Sequence, residues 1–153
     1  MPSAAEKDRE EQRERYRELL EEVRTIMPGT QVLLAFLLTV PFAQRFTQLD
    51  ELARDMYVGV ILCGALAIVL FMSPAAYHRV ARSQDRAARV EIAVRLVVTG
   101  MALLALAVGG AIFVVVRFVF DDTVLGAAVG GVAVVAAVLL WYVFPRLNRS
   151  PVE

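Results

Sequence analysis

The chain has 153 residues with 16 basic and 16 acidic side chains, so it carries no net formal charge and no global bias toward an acidic or basic partner. Hydrophobic residues make up 58% and charged residues 21%, and charge is missing altogether from Met56 to Tyr77, Leu96 to Val116 and Thr123 to Pro145. Apolar runs of 18 or more residues read as membrane-spanning helices, which argues against a soluble enzyme, a nucleic-acid-binding domain or a secreted disulfide scaffold.

Residues 1–28 read as a charged cytosolic helix. Ser3 and Glu6 fit a capping box. Glu11–Arg15, Arg17–Glu21 and Glu14–Arg17 are spaced as exposed-helix ion pairs, each worth only a few tenths of a kcal/mol. Tyr16, Leu19, Leu20, Val23 and Met27 recur at helical spacing and form one apolar stripe. Either the helix is simply solvated, or Tyr16, Leu19, Leu20 and Val23 dock a protein partner. The start is acidic as well as basic and has no early apolar core, unlike a signal peptide. Pro28-Gly29 is expected to end the helix.

The first span covers about 31–46. Sixteen helical residues reach roughly 24 Å, short of the roughly 30 Å hydrocarbon layer, so Gln31, Gln44 and Arg45 are expected at the interfaces. Pro41 should bend or break the helix between Leu37 and Pro41, because its ring displaces the carbonyl four residues back. Gln31, Ala35 and Thr39 share one helix face with Pro41 beside it. These four are the pore-lining candidates. The competing reading has Thr39 bonded to its own helix and the glutamines at headgroups.

Thr47 with Asp50 resembles a helix N-cap, and Leu49, Leu52 and Met56 give an amphipathic surface turn. The second span is 56–77, with Tyr57 and Tyr77 as interfacial aromatics and Ser73-Pro74 at its exit. A loop with Arg79, Arg82, Arg86 and Arg89 follows. His78, at its start, is either a pH sensor or a headgroup contact.

The third span is 92–120. Arg95 and Arg117 are 22 residues apart, about 33 Å along a helix, so each can snorkel to a headgroup layer. Asp121-Asp122 breaks the pattern. The fourth span, 124–144, closes on interfacial Trp141, and a short tail occupies 148–153.

Small residues mark helix-packing candidates: Gly59 and Cys63, with Ala67, in the second span; Ala105 and Gly109 in the third; Gly126 and Gly130, a GxxxG pair, in the fourth. Packing within the chain is favoured over packing between chains, because short loops already bring the third and fourth spans together.

With the N-terminus inside, 13 lysines and arginines fall on the inner side and three, Arg45, Arg54 and Arg117, on the outer. Both termini are therefore expected on the cytoplasmic side. No Asp, Glu or Lys lies within any span, whereas proton-coupled carriers normally place an ionisable group near the midplane. One cysteine, Cys63, and one histidine leave no internal disulfide and little for a His/Cys metal site. No cofactor is implied.

The string Met27-Pro28-Gly29-Thr30-Gln31-Val32-Leu33-Leu34-Ala35-Phe36-Leu37-Leu38-Thr39-Val40-Pro41-Phe42, then Arg45-Phe46, and later Ser73-Pro74-Ala75-Ala76-Tyr77-His78-Arg79, resembles a family of small four-span membrane proteins. That family occurs in high-GC Gram-positive bacteria, is of unknown function, and is often labelled sodium:proton antiporter. The resemblance implies a bacterial cytoplasmic-membrane location and a four-span architecture, and it assigns no catalytic residue.

The expected fold is all-α: four transmembrane helices in a bundle plus a cytosolic N-terminal amphipathic helix, in contact with the lipid bilayer. The leading functional expectation is a homo-oligomeric ion channel or transport protein with its pore formed between subunits by the first span. The alternative is a non-catalytic adaptor or accessory subunit that recruits a protein partner through the N-terminal helix. Sodium:proton antiport is disfavoured by the missing carboxylates. An enzyme is least supported, because no constellation of acid, base, nucleophile or metal ligands is present.

Overall fold

Helix α1 runs from Ala4 to Thr39 without a break. A computed structural model describes residues 4–80 and 86–147. Ser3, the segment 81–85 with Arg82, and the tail 148–153 lie outside the described residues, as do the side chains of Glu6, Tyr77, His78, Arg79, Arg86 and Arg89.

The expected stop at Pro28-Gly29 is absent: Pro28 lies inside α1, and the charged segment and the first span are one rod. A proline removes a single helical hydrogen bond, here the one to the Arg24 carbonyl. Arg24 is exposed at the charged end of the apolar stretch, where other groups can satisfy that carbonyl. The flanking turns are tightened by hydroxyls, with Thr25 Oγ1 donating to the Glu21 carbonyl at 3.0 Å and Thr30 Oγ1 to the Ile26 carbonyl at 3.1 Å.

At Pro41 the helix does end. A 3-10 turn, Val40–Phe42, carries the chain into an extended Ala43, and a second 3-10 turn follows at Phe46–Gln48. Helix α2, Glu51–Val80, is capped by Asp50 rather than Thr47. The Ala53 amide donates to Asp50 Oδ1 at 3.3 Å, whereas the Thr47 hydroxyl turns back to the Gln44 carbonyl. Pro74 does not mark an exit either: α2 continues through it, and Pro74 is fully buried.

Helix α3 spans Arg86–Phe120. Asp121 adopts a left-handed φ of 52°, a conformation Asp tolerates better than most residues. Asp122 then caps helix α4, Thr123–Val138, accepting from the amides of Val124 at 2.8 Å and Leu125 at 3.1 Å. A π-helical turn, Leu139–Val143, and a short α5, Phe144–Leu147, complete the described chain.

Four segments, Glu10–Phe42, Glu51–Ala76, Val90–Phe120 and Thr123–Val143, are long and apolar enough to cross a membrane. Successive helices run antiparallel. Phe71 meets Gly100 and Val60 meets Gly110 between α2 and α3, while Val134 meets Gly109 and Phe113 meets Gly126 between α3 and α4. Among the described residues, helix α1 lies against both α2 and α3 while α4 lies against α3 and neither α1 nor α2, so the expected four-helix bundle is open on that side. Lipid solvates an apolar helix face as well as another helix does, so no hydrophobic force closes it.

Candidate functional site on helix α1

The prolines explain how α1 is held. Pro41 has no amide hydrogen, so the Leu37 carbonyl four residues back loses its helical donor. The Tyr57 hydroxyl of α2 donates to that carbonyl. Tyr57 is therefore a core residue, 4% exposed, rather than an interfacial aromatic. Its ring meets Phe46 edge-on, with centroids 5.3 Å apart. Leu37, Tyr57, Ala53, Val60, Phe113 and Val114 form one core cluster, and Leu49, expected on a surface turn, packs against it.

At the other end of α1 the Tyr16 hydroxyl donates to the Pro74 carbonyl at 2.8 Å. Val23, 4% exposed, joins Ala67, Phe71 and Val97 in a second cluster, with Leu19 packed against it. Leu20 is half-buried. The stripe offered as a partner-docking surface thus packs largely on the chain's own helices. The charge pairs expected along it are open: among the described residues only Glu91–Arg95 and Asp50–Arg117 approach as ion pairs. Exposed pairs of this kind contribute little enough that side-chain entropy opens them.

These contacts set the register of α1. Leu37 lies beside Tyr57, Leu34 beside Gly64, Val23 beside Ala67 and Phe71, and Tyr16 beside Pro74. Gln31, one turn before Leu34, is therefore level with the middle of the uncharged run Met56 to Tyr77. From Gln31 to Phe42 is 11 residues, about 16 Å and roughly half the hydrocarbon thickness. Gln31 thus lies inside the uncharged stretch of α1, seven residues after Arg24, rather than at the start of a helix. The reason is the continuity of α1 through Pro28, which adds Ile26 and Met27 to its apolar length.

Gln31, Ala35, Thr39 and Pro41 are all exposed, on the outside of the single chain, next to Phe36, which is 70% exposed. Thr39 Oγ1 donates to the Phe36 carbonyl at 2.7 Å and is satisfied within its own helix. The Gln31 side chain makes no hydrogen bond within the chain among the described residues.

The match to the family model "Family of unknown function (DUF6328)" covers residues 5–145, nearly the whole chain and all four apolar helices. The chain belongs to this family. No curated protein and no solved structure matches it. The family agrees with the resemblance drawn from Met27 to Phe42, and it leaves the activity open.

The remaining candidates fall into two groups. Gly109, Gly126 and Gly130 lie where α3 and α4 touch: a Cβ on Gly130 would sit 2.6 Å from the Gly109 carbonyl oxygen, and one on Gly126 3.1 Å from the Phe113 carbonyl oxygen. Ala105 is buried and Cys63 half-buried against the core. Gly59 is different. It is exposed, and an added Cβ there would meet nothing within 4 Å, so it packs against no other helix among the described residues. The close α2–α3 glycines are Gly100, under the Phe71 ring, and Gly110, under Val60. A GxxxG search overlooks them because their partners are large side chains.

Among the charged and aromatic candidates, Arg45 is exposed at the turn before Phe46. Arg95 is exposed and bound to Glu91 one turn back at 2.6 Å. Trp141 is partly exposed in the π turn, next to Tyr142, whose hydroxyl donates to the Val98 carbonyl at 2.6 Å. Arg117 does more than snorkel. Its Nη2 and Nε hold Asp50 Oδ2 at 2.6 Å and Oδ1 at 3.3 Å, joining α3 to the start of α2. The Arg117 side chain is 17% exposed. The guanidinium holds the Asp50 carboxyl below its ordinary value of 3.8. Among the described residues no group of three His, Cys, Asp or Glu side chains could hold a metal ion.

Proposed function

We propose that the protein is a homo-oligomer of the bacterial cytoplasmic membrane, with both termini cytoplasmic, that conducts ions along the junction between copies of α1. The observation that carries this reading is the face of Gln31, Ala35 and Thr39, which lies within the apolar length of α1 yet on the outside of the single chain. A polar side chain facing lipid is costly. A junction between copies gives it protein or water instead, and symmetric association is the common way to build such a junction.

Sodium:proton exchange remains disfavoured, since the uncharged stretches offer no carboxylate or lysine to carry the proton. The adaptor alternative keeps only the charged face of α1, including the exposed Glu11, Glu14 and Arg15, because the apolar stripe is largely spent on α2 and α3.

Ion flux into liposomes tests the reading. Thr39→Leu should lower flux several-fold, by narrowing and drying the path. Val132→Leu, on the exposed face of α4, should leave it unchanged. Wild-type protein that inserts but passes no ion under any gradient or voltage would transfer the function to the adaptor reading.

A further inference from the structure

We infer that Gln31 is the contact by which two copies of this chain recognise each other, the carboxamide on one α1 hydrogen-bonding the same group on the next. The inference rests on the self-association in the reading above and not on conduction.

A glutamine amide offers two donor hydrogens and an acceptor oxygen. In Gln31 none of these is used within the chain among the described residues. In hydrocarbon an unsatisfied polar group is strongly unfavourable, and water is not available to replace the missing partner. Along α1 the side chain lies seven residues, about 10 Å, from Arg24 at one end of the apolar stretch and eleven, about 16 Å, from Phe42 at the other, and a glutamine side chain is shorter than either. A lipid headgroup is thereby removed as the partner.

The second copy is favoured by symmetry and chemistry together. Copies of one chain inserted with the same topology hold each residue at the same depth, so the group that faces Gln31 across a two-fold or ring axis normal to the membrane is another Gln31. The carboxamide is self-complementary, donating through nitrogen and accepting through oxygen. Ala35, one turn along the same face, is small and exposed. It lets two backbones approach closely enough for the amides to meet. Val32 and Phe36, both exposed, flank this line and supply apolar contact on either side. Helix α4 has no equivalent: its span from Val124 to Leu140 contains no polar side chain.

The test is the association of the full-length protein in nanodiscs and mild detergent, measured as a dissociation constant by fluorescence transfer between labelled copies. Wild type should associate. Gln31→Leu should raise the dissociation constant about tenfold, the loss expected for one interhelical hydrogen bond in lipid. Gln31→Asn keeps the amide and should retain most of the affinity, which separates a hydrogen bond from a general disturbance of α1. Unchanged helicity and melting of Gln31→Leu would confirm that the fold is intact. A wild-type protein that stays monomeric, association indifferent to Gln31→Leu, or Asn behaving as Leu does, would overturn the inference. Gln31-dependent association without ion flux would leave this contact standing and remove conduction. Flux with association independent of Gln31 would do the reverse.

Discussion

Helices α4 and α1 are attached to the rest of the molecule by opposite means. Helix α4 is held by what is missing: Gly109, Gly126 and Gly130 have no side chains, so the two backbones come within contact and Phe113 fits between them. Helix α1 is held by what is added, a hydroxyl near each end. Tyr57 satisfies the Leu37 carbonyl that Pro41 frees, and Tyr16 reaches the Pro74 carbonyl. Between two apolar helices in lipid the transfer of apolar surface drives nothing, so attachment needs either close packing or hydrogen bonds. The glycine route uses the whole small face of α4. The tyrosine route fastens the ends of α1 and leaves its polar mid-face open.

The sharpest way to break the first attachment is Gly130→Ala. The new methyl would sit 2.6 Å from a backbone oxygen and 3.1 Å from Phe113 Cβ, and neither can swing aside. Helices α3 and α4 must separate, at a cost of about 1–3 kcal/mol, seen as a lower melting temperature. Gly131→Ala, next in sequence, meets nothing within 4 Å and should be neutral or slightly stabilising through helix propensity. Equal effects at the two positions would remove close backbone packing as the cause.

The second attachment is tested by Tyr57→Phe. The ring and its contact with Phe46 remain, and only the hydroxyl is lost. The Leu37 carbonyl is then left without a donor, at a cost of about 1–3 kcal/mol. Proteolysis or hydrogen exchange should show the change concentrated at Leu37 to Phe42, with α4 unaffected.

A smaller effect is expected at the clamp between Asp50 and Arg117. Folding lowers the Asp50 pKa below 3.8, first through the hydrogen bond from Arg117. The clamp therefore stabilises the fold above pH 3.8, and that contribution is lost as pH falls through the lower folded-state value. Melting curves of wild type and Asp50→Asn should differ at neutral pH and converge in acid. A difference that persists in strong acid would assign the effect to the cap on α2 instead.

The four helices and the break at Asp121-Asp122 are legible in the sequence, because a membrane demands long uncharged runs and an Asp pair supplies both a left-handed residue and a cap. The prolines are not legible one at a time. Pro28, Pro41 and Pro74 each remove one amide, and only the surroundings decide whether the helix goes on. Arg24 is exposed, Pro74 is buried under α1, and Pro41 precedes the turn into α2. The Tyr57 latch has a faint sequence signal, since a proline at 41 leaves the carbonyl at 37 in need of a donor. The Asp50–Arg117 clamp has one too: an arginine ending one span seeks the acid that opens another. Gly59 misled because spacing alone cannot tell the lipid face of a helix from its packed face. Gln31 reads as the start of a span only if Pro28-Gly29 ends a helix, and α1 runs through both.

The open face of α1 as the place where copies meet is tested most directly by cross-linking single cysteines in liposomes at low protein density. In a Cys63→Ala background, Ala35→Cys puts one thiol on the open face of α1 and Val132→Cys puts one on the exposed face of α4. Mild oxidation should link the chains through position 35 and leave the position-132 variant as single chains. A linked species at 132 with none at 35 would contradict the account.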